Sequence, residues 1–127
     1  MLSFRIFAIA AAFLLSTAAL AERWIEYGID VNGTVLFYDQ DSLKQRGQNL
    51  LVWVLRDHSK DKTYKERTSK VRYLLDCAND EITILSFADY SVKGELIRTV
   101  TLKPYELEPK PIVPGSVGTA LQEALCE

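Results

Sequence analysis

Residues 70–77 read KVRYLLDC. Val71, Tyr73 and Leu75 alternate with Arg72, Leu74 and Asp76, the period of a β-strand with one face turned to a core. Cys77 ends the run in phase with the first set, so its thiol is expected in the same buried layer. The other cysteine, Cys126, stands one residue from the chain end in PGSVGTALQEALCE, residues 114–127. That stretch predicts a short helix. Ser116 is placed to cap its first free N–H groups. Thr119 rather than an acidic residue follows three positions on, which leaves a capping box incomplete. Val117, Leu121, Ala124 and Leu125 form one apolar stripe, with Ala120 at its edge. A helix of about ten residues is marginal alone and needs that stripe covered. On a straight helix Cys126 falls opposite the stripe. Either the last turn unwinds, or the buried stripe is a different one.

Outward from this pair the chain reads as short strands. RWIEYGID (23–30) and VLFYD (35–39) flank Asn32-Gly33, the signature of a type I′ hairpin with positive φ at both turn residues. Asn-Gly-Thr is also a glycosylation sequon; the turn accounts for both residues and is preferred. DQDSLKQRGQ (39–48) reads as a turn or a single helical turn closed by Gly47, with Leu43 its one apolar anchor. NLLVWVLRDH (49–58) is a central strand, apolar on both faces over much of its length: Leu51, Trp53 and Leu55 on one, Val52, Val54 and Arg56 on the other. EITILSFADYS and ELIRTVTL complete six strands. Connections this short predict antiparallel neighbours. Pro104, Pro109, Pro111 and Pro114 mark an extended connector between the sheet and the helix. The expected fold is α+β: a six-stranded antiparallel sheet with a C-terminal helix on one face. A small closed barrel is the alternative, and it would not need the helix as a cover.

The chain start, MLSFRIFAIAAAFLLSTAALAERW, has Arg5, an apolar run from Ile6 to Leu15, and Ala19-Leu20-Ala21. That is the pattern of a secretory signal peptide over residues 1–21, with cleavage after Ala21. The apolar run is short of the roughly 20 residues a spanning helix needs. No cysteine follows the small residues, so there is no lipobox. The mature domain is expected over residues 22–127, secreted to the periplasm or outside the cell. Loss of Arg5 moves the net charge from −2 to −3. A mildly acidic chain is a poor nucleic-acid ligand. Two thiols in an oxidising compartment predict one disulfide, Cys77 to Cys126, and no later transmembrane segment is expected.

Catalytic and metal chemistry find little support. The lone His58, in RDHSK, has no nucleophile-elbow serine to serve, and a solvated loop position is expected for it. Asp39 and Asp41, and Asp80 and Glu81, sit in turns, where Asp bonds its own backbone, and no aromatic sugar-stacking cluster accompanies either pair. One histidine and no Cys-x-x-Cys argue against zinc, and no cofactor is expected. The uneven feature is residues 56–72. Arg56, Lys60, Lys62, Lys65, Arg67, Lys70 and Arg72 face Asp57, Asp61 and Glu66, so seven positive and three negative charges leave +4 in an acidic chain. Lys60, Lys62, Lys65, Arg67, Lys70 and Arg72 are therefore candidate contacts for an acidic partner.

The succession FYDQDSL, VWVLRD, YKERTSKVRYLLDC, YSVKGEL and PIVPGSVGTALQEALC resembles the surface-adhesin protein E family of bacterial secreted proteins. The resemblance covers essentially the whole mature chain. It implies a curved six-stranded sheet with the helix on its concave side, tied there by the disulfide, and a Gram-negative source. It also implies a non-enzymatic binding protein that attaches to host matrix and serum proteins and self-associates into a homodimer. The family's namesake is anchored as a lipoprotein, which this chain lacks the lipobox to be. A soluble periplasmic protein that binds a small ligand or an envelope partner is the alternative function.

Overall fold

The computed structural model describes residues 22–127. The signal peptide expected over residues 1–21 lies outside the described residues. Eight strands and one helix follow in order: β1 (Trp24–Ile29), β2 (Val35–Asp39), β3 (Lys44–Arg46), β4 (Asn49–Asp57), β5 (Thr68–Asp76), β6 (Glu81–Tyr90), β7 (Leu96–Thr101), β8 (Lys110–Pro111) and α1 (Val117–Leu125). All pairings are antiparallel. The main path runs β1-β2-β4-β5-β6-β7, with β3 on β4 and β8 on β6. The six expected strands are this path. The sheet is open, with β1 and β7 at its edges, so the barrel alternative fails.

The count of six is corrected to eight, and both additions come from polar stretches. Residues 44–46 carry no apolar alternation, yet they pair with β4 as Lys44↔Leu51 and Arg46↔Asn49. Gly47, at φ 61°, supplies the positive φ that a two-residue hairpin of type II′ needs at its first central position. The helical turn considered there does not form, while Leu43 does pack against the core. Pro111 joins an edge pairing, Glu81↔Pro111, where its missing N–H costs no ladder bond.

The β1–β2 hairpin also departs from its expected turn. Only Gly33 has positive φ, at 90°. Gly33 N–H donates to Asp30 O, and Asp30 Oδ1 accepts from the N–H groups of Asn32 and Thr34. This is a three-residue loop: an ordinary turn followed by a left-handed glycine. An Asx-type bond from Asp30 displaced the type I′ form.

Val52, Val54, Leu75 and Leu121 form the buried centre, with Tyr27, Tyr38, Leu50, Tyr73, Ile82, Ile112 and Leu125 packed around them. Cross-strand register places Val54, Val71 and Phe87 in one row, and Leu50, Leu75 and Ile82 in another. The helix lies on this face. Ser116 Oγ accepts from Thr119 N–H as its cap. The apolar stripe is corrected: Leu121 is buried, but Val117 and Ala124 are exposed. Ala120 lies over Gly28, and Gly118 over Ile112, where an added Cβ would meet Cγ2 at 3.5 Å. The helix ends at Leu125. Cys126 has extended dihedrals (φ −91°, ψ 131°), which turns its sulfur out of helical phase and onto Cys77. The disulfide forms with a Cα–Cα distance of 5.8 Å.

Candidate functional site

Beyond the helix, the same sheet face turns polar from β4 to β7. Register aligns Leu36, Arg56, Ser69, Asp89 and Arg98 across β2, β4, β5, β6 and β7. His58 continues the phase of Val52, Val54 and Arg56 one residue past β4. It is therefore buried, 2% exposed, and the expected solvated loop position is wrong. Its Nδ1 lies 3.0 Å from Thr34 Oγ1, and its Nε2 lies 3.1 Å from Ser69 Oγ. Thr34 also donates to Asp61 Oδ2 at 2.9 Å, and Ser69 donates to Asp89 Oδ1 at 2.7 Å. Arg98 Nε closes the chain on Asp89 Oδ2. Tyr64 stacks on the imidazole, ring centres 3.8 Å apart and planes 11° from parallel.

These contacts fix the β4–β5 loop, residues 58–67. His58 N–H donates to Arg67 O, Asp61 N–H to His58 O, and Arg67 N–H to Tyr90 O. Asp61, only 4% exposed, turns inward; its Oδ1 accepts from the N–H and hydroxyl of Thr63. The Thr63 hydroxyl bond foremost holds the Asp61 carboxyl below its usual pKa, with the Thr63 N–H and Thr34 hydroxyl adding to it against burial. Burial pushes Asp89 up, but the hydrogen bonds from Arg98 and Ser69, with the Arg98 charge, outweigh it and hold Asp89 low. Burial, then the Arg56 charge, pushes His58 below its ordinary value; Asp61, Glu66 and Asp30 oppose this. Both carboxylates of the polar chain, Asp61 and Asp89, and the ring were visible in the sequence. What hid their association is that Thr34 comes from the end of the β1–β2 loop and Ser69 from β5.

The six candidate cations divide in two. Lys60, Lys62, Lys65 and Arg67 are exposed on the loop, and among the described residues none of them forms an ion pair. Lys70 and Arg72 instead lie half-buried on the sheet face away from the helix. Lys70 Nζ pairs with Glu22 at 3.0 Å and sits 5.7 Å from the Trp24 ring centre and 5.5 Å from that of Tyr90. Arg72 lies over Trp53 at 6.0 Å. Their alkyl stems cover aromatic surface there. A groove of about 470 Å³ on this face includes Asp39, Trp53, Lys70, Tyr90 and Leu96. Asp39 thus does have aromatic neighbours. It nonetheless keeps its turn role, since its Oδ1 accepts from the N–H groups of Arg23 and Asp41.

On the helix side, an apolar cleft of about 460 Å³ lies between the sheet, the connector and the start of α1. Tyr73, Ile82, Ile84, Ile112, Val113 and Val117 line it, with Glu106, Glu108 and Lys110 at the rim. Among the described residues no group of three His, Cys, Asp or Glu side chains could hold a metal ion, and no helix is long and apolar enough to cross a membrane.

The chain is thus an open antiparallel sheet with one helix pinned by a disulfide and a loop that carries exposed cations. The surface-adhesin protein E family model matches residues 24–127, and the chain belongs to that family. It is accordingly an adhesin-like protein of the secreted or surface type. Crystal form II of Haemophilus influenzae protein E is similar in fold, with TM-score 0.59 at 16% identity over 81% of this chain and 86% of that one. A second structure of Haemophilus influenzae protein E gives 0.56 at 16% identity over 81% and 83%. The protein from non-typeable Haemophilus influenzae gives 0.55 at 15% over 81% and 74%. No curated protein matches the chain by sequence.

Proposed function

We propose that this is a non-enzymatic, exported binding domain whose β4–β5 loop grips an acidic surface on a matrix or envelope partner. The carrying observation is the fate of the loop charges. Asp61 is buried and hydrogen-bonded, while Lys60, Lys62, Lys65 and Arg67 stay in water without ion pairs. The exposed loop is thus more basic than its composition. Because the polar chain below fixes its backbone, little ordering cost remains to be met on binding. Family membership supports the adhesive role; Lys70 and Arg72, engaged on the other face, are not part of the proposed contact.

Reversal of Lys62, Lys65 and Arg67 to glutamate is expected to weaken binding to a sulfated polyanion such as heparin by at least about tenfold, equivalent to 1.4 kcal/mol or more. Thermal unfolding should be nearly unchanged, because all three side chains are exposed. Undiminished binding to heparin, matrix proteins and envelope extract would remove the loop from the contact.

The apolar cleft supports a second reading, a periplasmic protein that takes a small apolar ligand. Its volume lies in the range of small-molecule sites, and Ile84 and Val117 leave apolar surface open to water. Ile84→Glu is expected to abolish uptake of an apolar fluorescent dye and leave heparin binding intact. Equal dye uptake by the variant would count against the cleft.

A further inference from the structure

The groove on the sheet face away from the helix owes its room to one small residue. Cross-strand register sets Leu55, Lys70, Ala88 and Thr99 in one row. Ala88, only 9% exposed, carries a methyl group where its neighbours carry longer side chains. Trp53, in phase with Leu55 along β4, and Tyr90, in phase with Ala88 along β6, share that face and line the groove.

Asp39 ends β2 on the same face and is 5% exposed. Its turn role uses one oxygen: Oδ1 accepts from the N–H groups of Arg23 at 3.0 Å and Asp41 at 3.1 Å. Among the described residues Oδ2 has no hydrogen bond and no ion pair. No fully buried side-chain oxygen there lacks a partner, so Oδ2 is open, and Asp39 opens on the groove. A carboxylate oxygen in this position is a strong acceptor for a ligand O–H. Lys70 supplies the opposite function. Its Nζ donates to both oxygens of Glu22, at 3.1 and 3.0 Å, and an ammonium has three hydrogens, so one remains for a ligand oxygen.

These groups select a class of ligand. A cation would meet Lys70, whose ammonium already lies 5.7 Å from the Trp24 ring centre and 5.5 Å from that of Tyr90. An anion would meet the Asp39 and Glu22 carboxylates. A purely apolar molecule would strip water from Asp39 and Lys70 and return no hydrogen bond. A neutral polyol does neither: its hydroxyls donate to Asp39 and accept from Lys70, while its C–H edges rest on aromatic surface. We infer that this groove binds a neutral oligosaccharide, at a site separate from the basic β4–β5 loop.

Trp24 and Trp53 are the only tryptophans, and both lie on this face, so the emission of the mature protein reads the groove directly. Maltotriose, chitotriose and N-acetyllactosamine are the probes. At least one is expected to shift tryptophan emission saturably at about millimolar concentration. Asp39→Asn keeps an amide oxygen for the N–H groups of Arg23 and Asp41 and removes only the acceptor that opens on the groove. It should weaken binding by about tenfold or more with the unfolding midpoint unchanged. Thr99→Arg, at an exposed position of the edge strand β7, places a long side chain in the groove and should abolish binding. If Asp39→Asn does not fold, Thr99→Arg decides alone. Reversal of Lys62, Lys65 and Arg67 to glutamate should leave sugar binding intact. A preference for chitotriose would point to a bacterial wall glycan and a preference for N-acetyllactosamine to a host glycan; either upholds the groove. No saturable shift with any of the three sugars, undiminished binding in the groove variants, tighter binding of choline than of the sugars, or loss of sugar binding in the loop variant overturns the inference.

Discussion

Cys126→Ser is expected to lower the free energy of unfolding by about 4 kcal/mol, the loop-closure value for two cysteines roughly 50 residues apart. The separation is 49 residues, and the bridge joins the end of the sheet's fifth strand to the residue after the helix. That loss is a large share of the 5–15 kcal/mol typical of a whole domain. The effect is concentrated on α1. Nine residues of helix are unstable alone. Besides the bridge, the helix is tied near its C-terminal end by Gln122 Nε2 donating to Asp80 Oδ1. Asp80 O also accepts from Ile112 N–H, which brings the connector to the same corner. Urea unfolding of the oxidised protein, the reduced protein and Cys126→Ser gives the comparison. Reduced and mutant proteins should share one midpoint, well below that of the oxidised form. Three equal midpoints would mean that the bridge does not stabilise the fold.

Much of this corner was readable in advance. Val71, Tyr73, Leu75 and Cys77 share a face because β5 itself keeps its alternation; the register shift between Arg72 and Tyr73 is taken up by β6, where Leu85 is the extra residue. Turn geometry was less legible. Asn32-Gly33 fits two hairpin forms, and Asp30, outside the dipeptide, chose between them. The helix stripe was misplaced because a sequence pattern cannot say which side of an amphipathic segment the connector will cover. Ile112 comes to lie beside Gly118, so the buried line runs nearer Gly118, Leu121 and Leu125 than Val117 and Ala124. His58 was the largest miss for function. Its phase with Val52, Val54 and Arg56 pointed inward all along. Local polarity argued the other way, because RDHSK contains no group able to satisfy a buried ring. Those groups, Thr34 beside β2 and Ser69 in β5, lie 24 and 11 residues away in the chain, and only the pairing of β2, β4 and β5 brings them together. The loop charges follow the same logic: sequence counts Asp61 against the lysines, whereas folding turns it inward.

Leu121→Ala tests the corrected stripe and is expected to cost about 3 kcal/mol, as for a Leu truncated in a packed core. Leu121 is 1% exposed and is the one buried residue of α1, seated on Val52, Val54 and Leu75. Val117→Ala, by contrast, removes a side chain that is 43% exposed and should change stability by less than about 0.5 kcal/mol. Had the stripe read from sequence been the buried one, the two costs would have been comparable. Leu121 and the disulfide also act through one event, the docking of the same nine residues, so their effects should not add. Once Cys126→Ser has loosened the helix, part of the Leu121 packing is already lost, and the double variant should unfold at higher urea than the sum predicts. Full additivity would mean that bridge and side chain stabilise separate parts of the fold. The coupled result has a functional side. The polar chain under the basic loop runs from Thr34 beside β2 through His58 and Asp61 to β5, β6 and β7, with no hydrogen bond to α1. Loosening the helix should therefore lower global stability and leave the polar chain and the loop it holds in place while the sheet stays folded.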